Sequence, residues 1–182
     1  MRTQLAPDPR GGVQVRAAAA GDCEGIRSLI AGLSPRTQYL RFFAPVSPSP
    51  AILRQMCAPR GRIDVLVATD SGVIVGHAMA ADIVEPDGRT AADVGLVVAD
   101  RWQGRGVGSL LFEWLIARAA ARGVSALAMD VLQENQRMLA MISRRWAGAG
   151  YEYAASAVTV RVRLPHRPEA SRGRGEAASR AA

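Results

Sequence analysis

The stretch Arg101-Trp102-Gln103-Gly104-Arg105-Gly106-Val107-Gly108 constrains this chain more than any other. Its three alternating glycines follow a β-like run, Val94 to Val98, and lead into apolar residues at helical spacing from Ser109 to Arg122. At such a junction the first amides of the helix lack partners, the helix dipole adds partial positive charge, and glycines let a ligand approach the main chain. Arg101 and Arg105 add charge beside it. The stretch therefore predicts a cradle for an anionic, phosphate-bearing ligand.

The rest of the chain supplies a framework for that cradle. Val13 to Ala18 reads as a strand, with Asp22 as N-cap of a helix through Leu33. Ser34-Pro35 opens a second helix, Arg36 to Phe43, by the serine cap and the rule that proline suits a first turn. A third helical piece spans Ala51 to Cys57. From Arg62 the pattern turns to β: Ile63 to Thr69, a hairpin turn at Asp70-Ser71-Gly72, Val73 to Val84, a turn through Pro86 and Gly88, then Ala92 to Val98. Strands joined this tightly must run antiparallel, a meander and not a βαβ series. After the glycine loop come the helix Ser109 to Arg122, stopped by Gly123, the strand Ala126 to Val131, the helix Asn135 to Trp146, and a final strand or hairpin, Tyr151 to Leu164. Residues 1–12 read as a flexible leader, 13–164 as one α/β domain of α+β type, and 165–182 as a disordered tail rich in Arg, Ala and Gly.

Composition narrows the class. At 182 residues the expectation is one domain with a sufficient core. No apolar run reaches the roughly 18 residues of a membrane span, and the N-terminus lacks the apolar core of a signal peptide. The expectation is a soluble cytoplasmic protein with no membrane partner. Cys23 and Cys57, one in a helix and one at a helix end, are expected to be free thiols. The formal charge is +7, and all 23 basic residues are arginine. A coding bias toward GC-rich codons explains this, along with the alanine runs. A lysine-free chain would also escape modification of its own side-chain amines, which matters only for a protein that acylates lysines. Aromatic residues make up 5%, and no basic, aromatic-interleaved element stands out, so nucleic acid is set aside as a partner. Two histidines, no clustered carboxylates and no cysteine pair at ligand spacing give no metal site.

A dinucleotide site needs G-x-G-x-x-G directly after a strand of a parallel unit, with an acidic residue about twenty positions on. Asp130 suits the last requirement. The glycine spacing, the residues between Val98 and Gly104 and the antiparallel meander do not. Gln103-Gly104-Arg105-Gly106-Val107-Gly108 instead resembles the signature of the GNAT superfamily of acyl-CoA-dependent N-acetyltransferases, Gln/Arg-x-x-Gly-x-Gly/Ala. The resemblance implies a GNAT fold, a mixed, mostly antiparallel central sheet flanked by helices on both faces. It implies acetyl-CoA as cosubstrate, its pyrophosphate on the loop and its pantetheine arm along the preceding strand. Val97, Val98, Gln103, Gly104, Arg105, Gly106, Val107, Gly108 and Ser109 are then the binding residues, and Asn135 hydrogen-bonds the arm. Leu33 to Phe43, Val97 to Gly106 and Val131 to Leu139 further resemble the bacterial Pat-like protein lysine acetyltransferases.

Amide formation from a thioester needs a neutral amine, whereas free lysine has a pKa of about 10.4, so a group near the amine must take its proton. In the Pat-like enzymes a Glu seven positions before the residue matching Asp100 is that base, and here the position holds Asp93, one methylene shorter. Glu85 and Glu134 are alternatives. The tyrosine that many GNAT enzymes carry seven residues after the counterpart of Asn135 is replaced by Ile142, and Trp146 stands where the family has a glycine. The general acid is left unassigned, with Tyr151 and Tyr153 as residues that could reach back. Tyr39 and Arg41 are candidates for acceptor contact, while Phe42 and Phe43 are expected in the core. His77 is expected to be structural. Without a base beside either cysteine, direct attack in a ternary complex is simpler than an acyl-enzyme. The expected acceptor is a protein lysine, with a small amine as alternative. A CoA-binding regulatory module without turnover is the reading from another class. The oligomeric state is open.

Overall fold

The computed structural model describes residues 12–44, 48–57, 61–85 and 87–164. The tail, and the leader apart from Gly12, lie outside these. Five helices and seven strands follow in the order β1 (Gln14–Ala17), α1 (Cys23–Ala31), α2 (Pro35–Phe42), α3 (Pro50–Cys57), β2 (Ile63–Asp70), β3 (Val73–Val84), β4 (Thr90–Val98), α4 (Val107–Ala121), β5 (Ala126–Leu132), α5 (Gln136–Arg145), β6 (Gly150–Tyr153) and β7 (Ala157–Arg163). The strands form one sheet in the order β1-β2-β3-β4-β5-β7-β6, in which β4 and β5 alone run parallel. The meander is as expected: β2, β3 and β4 pair antiparallel in sequence order. Ser71 and Gly72, with φ of 48° and 81°, make a two-residue turn in which both centres are left-handed.

Helices cover both faces, which explains why β2 is buried along nearly its whole length instead of alternating. On one face Ile26, Leu29 and Ile30 of α1 pack with Met56 of α3 against Val65, Val67 and Val97. On the other, Leu111, Phe112 and Leu115 of α4 pack with Ile142 of α5 on Leu66, Ala78, Ala80 and Leu127. The small residues of β3 let α4 come close: a Cβ on Gly76 would stand 2.9 Å from Leu111 Cδ1. The far end of α4 is tied by charge, Arg118 donating to Asp64 at 2.8 Å and Arg122 to Asp82 at 2.8 Å, with Arg122 also paired to Asp64. Gly123, at φ 81°, ends the helix, and the Val124 amide donates to the Ala119 carbonyl at 3.1 Å.

Three expectations are corrected. Cys23 and Cys57 are joined as a disulfide, Cα atoms 4.8 Å apart, because α1 and α3 pack side by side and bring together residues 34 positions apart. Asp22 does not cap α1 with its side chain. It accepts from the Ala19 amide at 2.7 Å and pairs with Arg16, so its carboxylate closes the preceding 3₁₀ turn. Phe43 is 41% exposed, because the chain leaves α2 there in a left-handed conformation (φ 61°), while Phe42 packs into the core. Of the two alternatives for the final segment, the structure has the hairpin, β6 with β7.

Candidate active site

The parallel pair β4 and β5 is joined at only three positions, Ala91 with Ala126, Ala92 with Leu127 and Asp93 with Ala128. Both strands continue, β4 to Val98 and β5 to Leu132, without pairing to each other. The sheet therefore forks, with Asp93 at the vertex. Along the open limb, the Ala99 amide donates to the Val75 carbonyl across the β3 ladder at 2.9 Å. Alternation along an antiparallel strand then turns the main-chain groups of Val97 and Gly95 toward β3, and those of Val98 and Leu96 toward the gap. The amide and carbonyl of Val97 are thus committed to His77, its partner in the ladder, although Val97 still lines the cleft. Leu96 is the residue the sequence reading missed. The parity of the strand is its signal, but parity needs a known pairing partner.

A cleft of about 430 Å³ opens from the fork, lined by Arg41 of α2, Leu96 to Val98 of β4, Gln103, Gly104 and Gly106 of the loop, Gly108 and Ser109 of α4, and Asn135, Met138 and Met141 of α5. Gly104 and Gly106 have φ of 78° and 85°, which a side chain tolerates poorly, and Gly106 is the N-cap of α4. The first helix-closing bond runs from the Leu110 amide to the Gly106 carbonyl at 3.0 Å. The amides of Val107, Gly108 and Ser109 therefore have no acceptor within the helix. Val107 contributes only its main chain, since its side chain is in the core, and α4 begins there and not at Ser109. Arg105 lies with its guanidinium 5.0 Å from the Trp102 ring and does not line the cleft.

Gln103 acts as a brace. Its Nε2 donates to the Val98 carbonyl at 3.1 Å and to Thr37 Oγ1 at 3.2 Å, and its Oε1 accepts from Arg137 at 2.8 Å. Thr37 and Ser34 donate to Asp100 at 2.6 and 2.7 Å, and the Ser34 amide does so at 2.9 Å. Burial alone would raise the Asp100 pKa, but these bonds outweigh it and hold the carboxyl below its ordinary range. One polar network thereby joins the start of α2, the loop and α5. Asn135 caps α5 by accepting from the Met138 amide at 3.2 Å with Oδ1, and it lines the cleft with its Nδ2 uncommitted.

Asp93 is exposed at the vertex, with its carboxyl partly desolvated by the surrounding protein. That partial burial first, and the Asp130 carboxylate second, push its carboxyl above the ordinary range, while Arg41 and the Val94 amide pull it back only in part. Asp130 lies two residues beyond Ala128, on the same face of β5, and accepts from Thr159 at 2.6 Å. Arg41 lies on Gly95: a Cβ there would stand 2.5 Å from Arg41 Cζ and collide with Nη2. Of the alternative carboxylates, Glu85 is paired with Arg161 and Glu134 with Arg36, so neither is free as Asp93 is. Ile142 is fully buried in the core, and Trp146 packs edge-on against Phe112, ring centroids 4.6 Å apart. Tyr151 and Tyr153 sit on β6, the far edge of the sheet beyond β7, and neither lines the cleft. His77 is fully buried, 2.9 Å from the Met56 carbonyl, and burial lowers its pKa to about 4, so it is a neutral core residue.

A wider groove of about 730 Å³ runs between α1 and the β2–β3 turn, but its carboxylates, Asp22 and Asp100, already have partners. Among the described residues no group of three or more His, Cys, Asp or Glu is placed to hold a metal, and no helix is long and apolar enough to cross a membrane.

The acetyltransferase (GNAT) family profile matches residues 35–148. Similar solved structures include the GNAT domain of S. lividans PAT, 27% identical with a TM-score of 0.75, the match covering 84% of this chain and 90% of that one. A cAMP-binding acyltransferase from Mycobacterium smegmatis is 25% identical, TM-score 0.60, over 90% of this chain and 48% of that one. A phosphinothricin acetyltransferase from Sinorhizobium meliloti, in complex with AcCoA, is 18% identical, TM-score 0.68, over 84% and 89%. The chain belongs to the GNAT acetyltransferase family. It is an acetyltransferase by family and by fold.

Proposed function

We propose that the protein transfers an acetyl group from acetyl-CoA to a primary amine, a protein lysine side chain, by direct attack in a ternary complex. The observation that carries this is the fork, which has free loop amides at one end and a carboxylate of raised pKa at its vertex. The pyrophosphate is taken by the amides of Gly106 to Ser109, helped by the dipole of α4. Arg137 and Arg144, on the cleft wall, add positive charge for the remaining phosphate. The pantetheine arm takes the place β5 has left, against the open main chain of Leu96 and the amide of Val98, with Asn135 Nδ2 as a further donor.

The acyl carbon then lies near the vertex. Asp93 accepts the proton of the amine, its raised pKa making it a better base than an ordinary surface carboxylate. Asp130 beside it gives the acceptor side a negative field suited to an incoming ammonium. The exposed vertex fits an extended lysine side chain presented by another protein, and the three segments shared with Pat-like enzymes point the same way.

Calorimetry with acetyl-CoA tests the donor half. Saturable binding is expected, and its absence would sink the proposal. Release of free CoA with lysine peptides, compared with a panel of small amines, tests the acceptor. Turnover with small amines alone removes the lysine reading, and binding with no turnover on either panel leaves a CoA-binding module.

A further inference from the structure

Resting on that reading, we infer that Arg41 is a catalytic residue that stabilises the departing CoA thiolate, in a site that lacks a hydroxyl acid. The position where a tyrosine would serve holds Ile142, turned into the core and fully buried. The leaving sulfur must nevertheless be protonated or held by a positive charge.

Arg41 answers that need by its placement. It is the last basic residue of α2, and its guanidinium lies on Gly95, two residues along β4 from Asp93 and next to Leu96. It lines the inner part of the cleft, opposite the end formed by the glycine loop. Its Nε is buried without a hydrogen-bond partner, and no carboxylate lies within ion-pair distance of it among the described residues. A guanidinium taken from water and left with an open donor is costly unless a ligand completes it. Of the other arginines near the fork, Arg137 is engaged by Gln103 and Arg161 by Glu85, and Arg144 lies on α5 at the cleft wall.

The step balances without a proton from Arg41, which stays charged throughout. The ammonium gives its first proton through Asp93 to water; the neutral nitrogen then forms the C–N bond, the C–S bond breaks with both electrons moving to sulfur, and the second nitrogen proton goes to the again ionised Asp93. The thiolate is left beside the guanidinium, which is worth more in a site partly shielded from water than in solution. The charged and titratable groups around Arg41 are Asp93 on β4, Asp130 on β5, the neutral His77 on β3, and Arg137 and Arg144 on α5.

The bound product reports the interaction directly. The thiol of CoA in complex with the protein, followed by thiolate absorbance against pH, is expected to titrate below the free-thiol range of about 8.5. In Arg41→Gln and Arg41→Met that lowering disappears while CoA affinity, by calorimetry, changes less than threefold. In turnover the same variants lose about 10²-fold in kcat with little change in the KM of acetyl-CoA. The loss grows as acyl donors with more basic thiols are used, and Arg41→Lys recovers part of it. An unshifted bound thiol in the wild-type protein, or a loss independent of the thiol, overturns the inference. A raised KM for the acceptor at unchanged kcat overturns it too, since Arg41 would then hold the acceptor. Failure of the wild-type protein to bind CoA or to turn over would instead strike the proposed function.

Discussion

Asp93 shows how one residue's surroundings decide its chemistry. An exposed aspartate is ordinarily a poor base, ionised with a pKa near 4. At the vertex it is partly desolvated and faces Asp130, and both effects disfavour its charged form. If it is the base, kcat/KM rises with pH through a pKa above the ordinary carboxylate range. Asp93→Asn should flatten that limb and lower kcat/KM by about 10²-fold or more. Folding stability by urea titration should not fall at neutral pH, because a group whose folded pKa is raised opposes folding when ionised. A pH profile shared by variant and wild type removes Asp93 as the base.

At the scale of elements, the glycine loop is held in place as much as it is left open. Gln103 spends both of its amide hydrogens on Val98 and Thr37 and its oxygen on Arg137, so the loop moves only with α2 and α5. Gln103→Ala therefore acts without touching the ligand. Each lost bond is worth about 1 kcal/mol in preorganisation. Acetyl-CoA affinity by calorimetry should fall about 10²-fold, the sum of three such bonds, and the amide resonances of Gly104 to Ser109 should broaden. Unchanged affinity would mean that the glycines alone set the loop. Much of this element was legible beforehand, since strand, glycines and helix adjoin in sequence. The brace was not: Thr37 and Gln103 are 66 positions apart, and nothing in either residue names the other.

On the scale of the whole molecule, burial of His77 couples folding to pH. The folded-state pKa is lowered to about 4 from an ordinary 6.5, so the unfolded chain binds the extra proton. Stability is full above pH 6.5 and is lost as pH falls toward 4, by roughly 3 kcal/mol in all. Urea midpoints measured across that range should show the decline in the wild type. His77→Asn, though weaker overall, should lack it. A variant with the same pH dependence would place the titration elsewhere.

The sequence by itself determined what depends on neighbours along the chain. The order of helices and strands, the antiparallel meander, the serine cap of α2, and a glycine cradle at a helix start follow from period, turn chemistry and backbone freedom. These effects act over a few residues, so they are written where they operate. Tertiary structure decided what depends on which strands stop pairing and which side chains meet. The fork beyond Asp93, Leu96 in place of Val97 as the open main chain, the Cys23–Cys57 bridge, and Arg41 laid on Gly95 all join segments that only packing brings together. Periodicity places a residue on a face, but long-range pairing decides what that face meets.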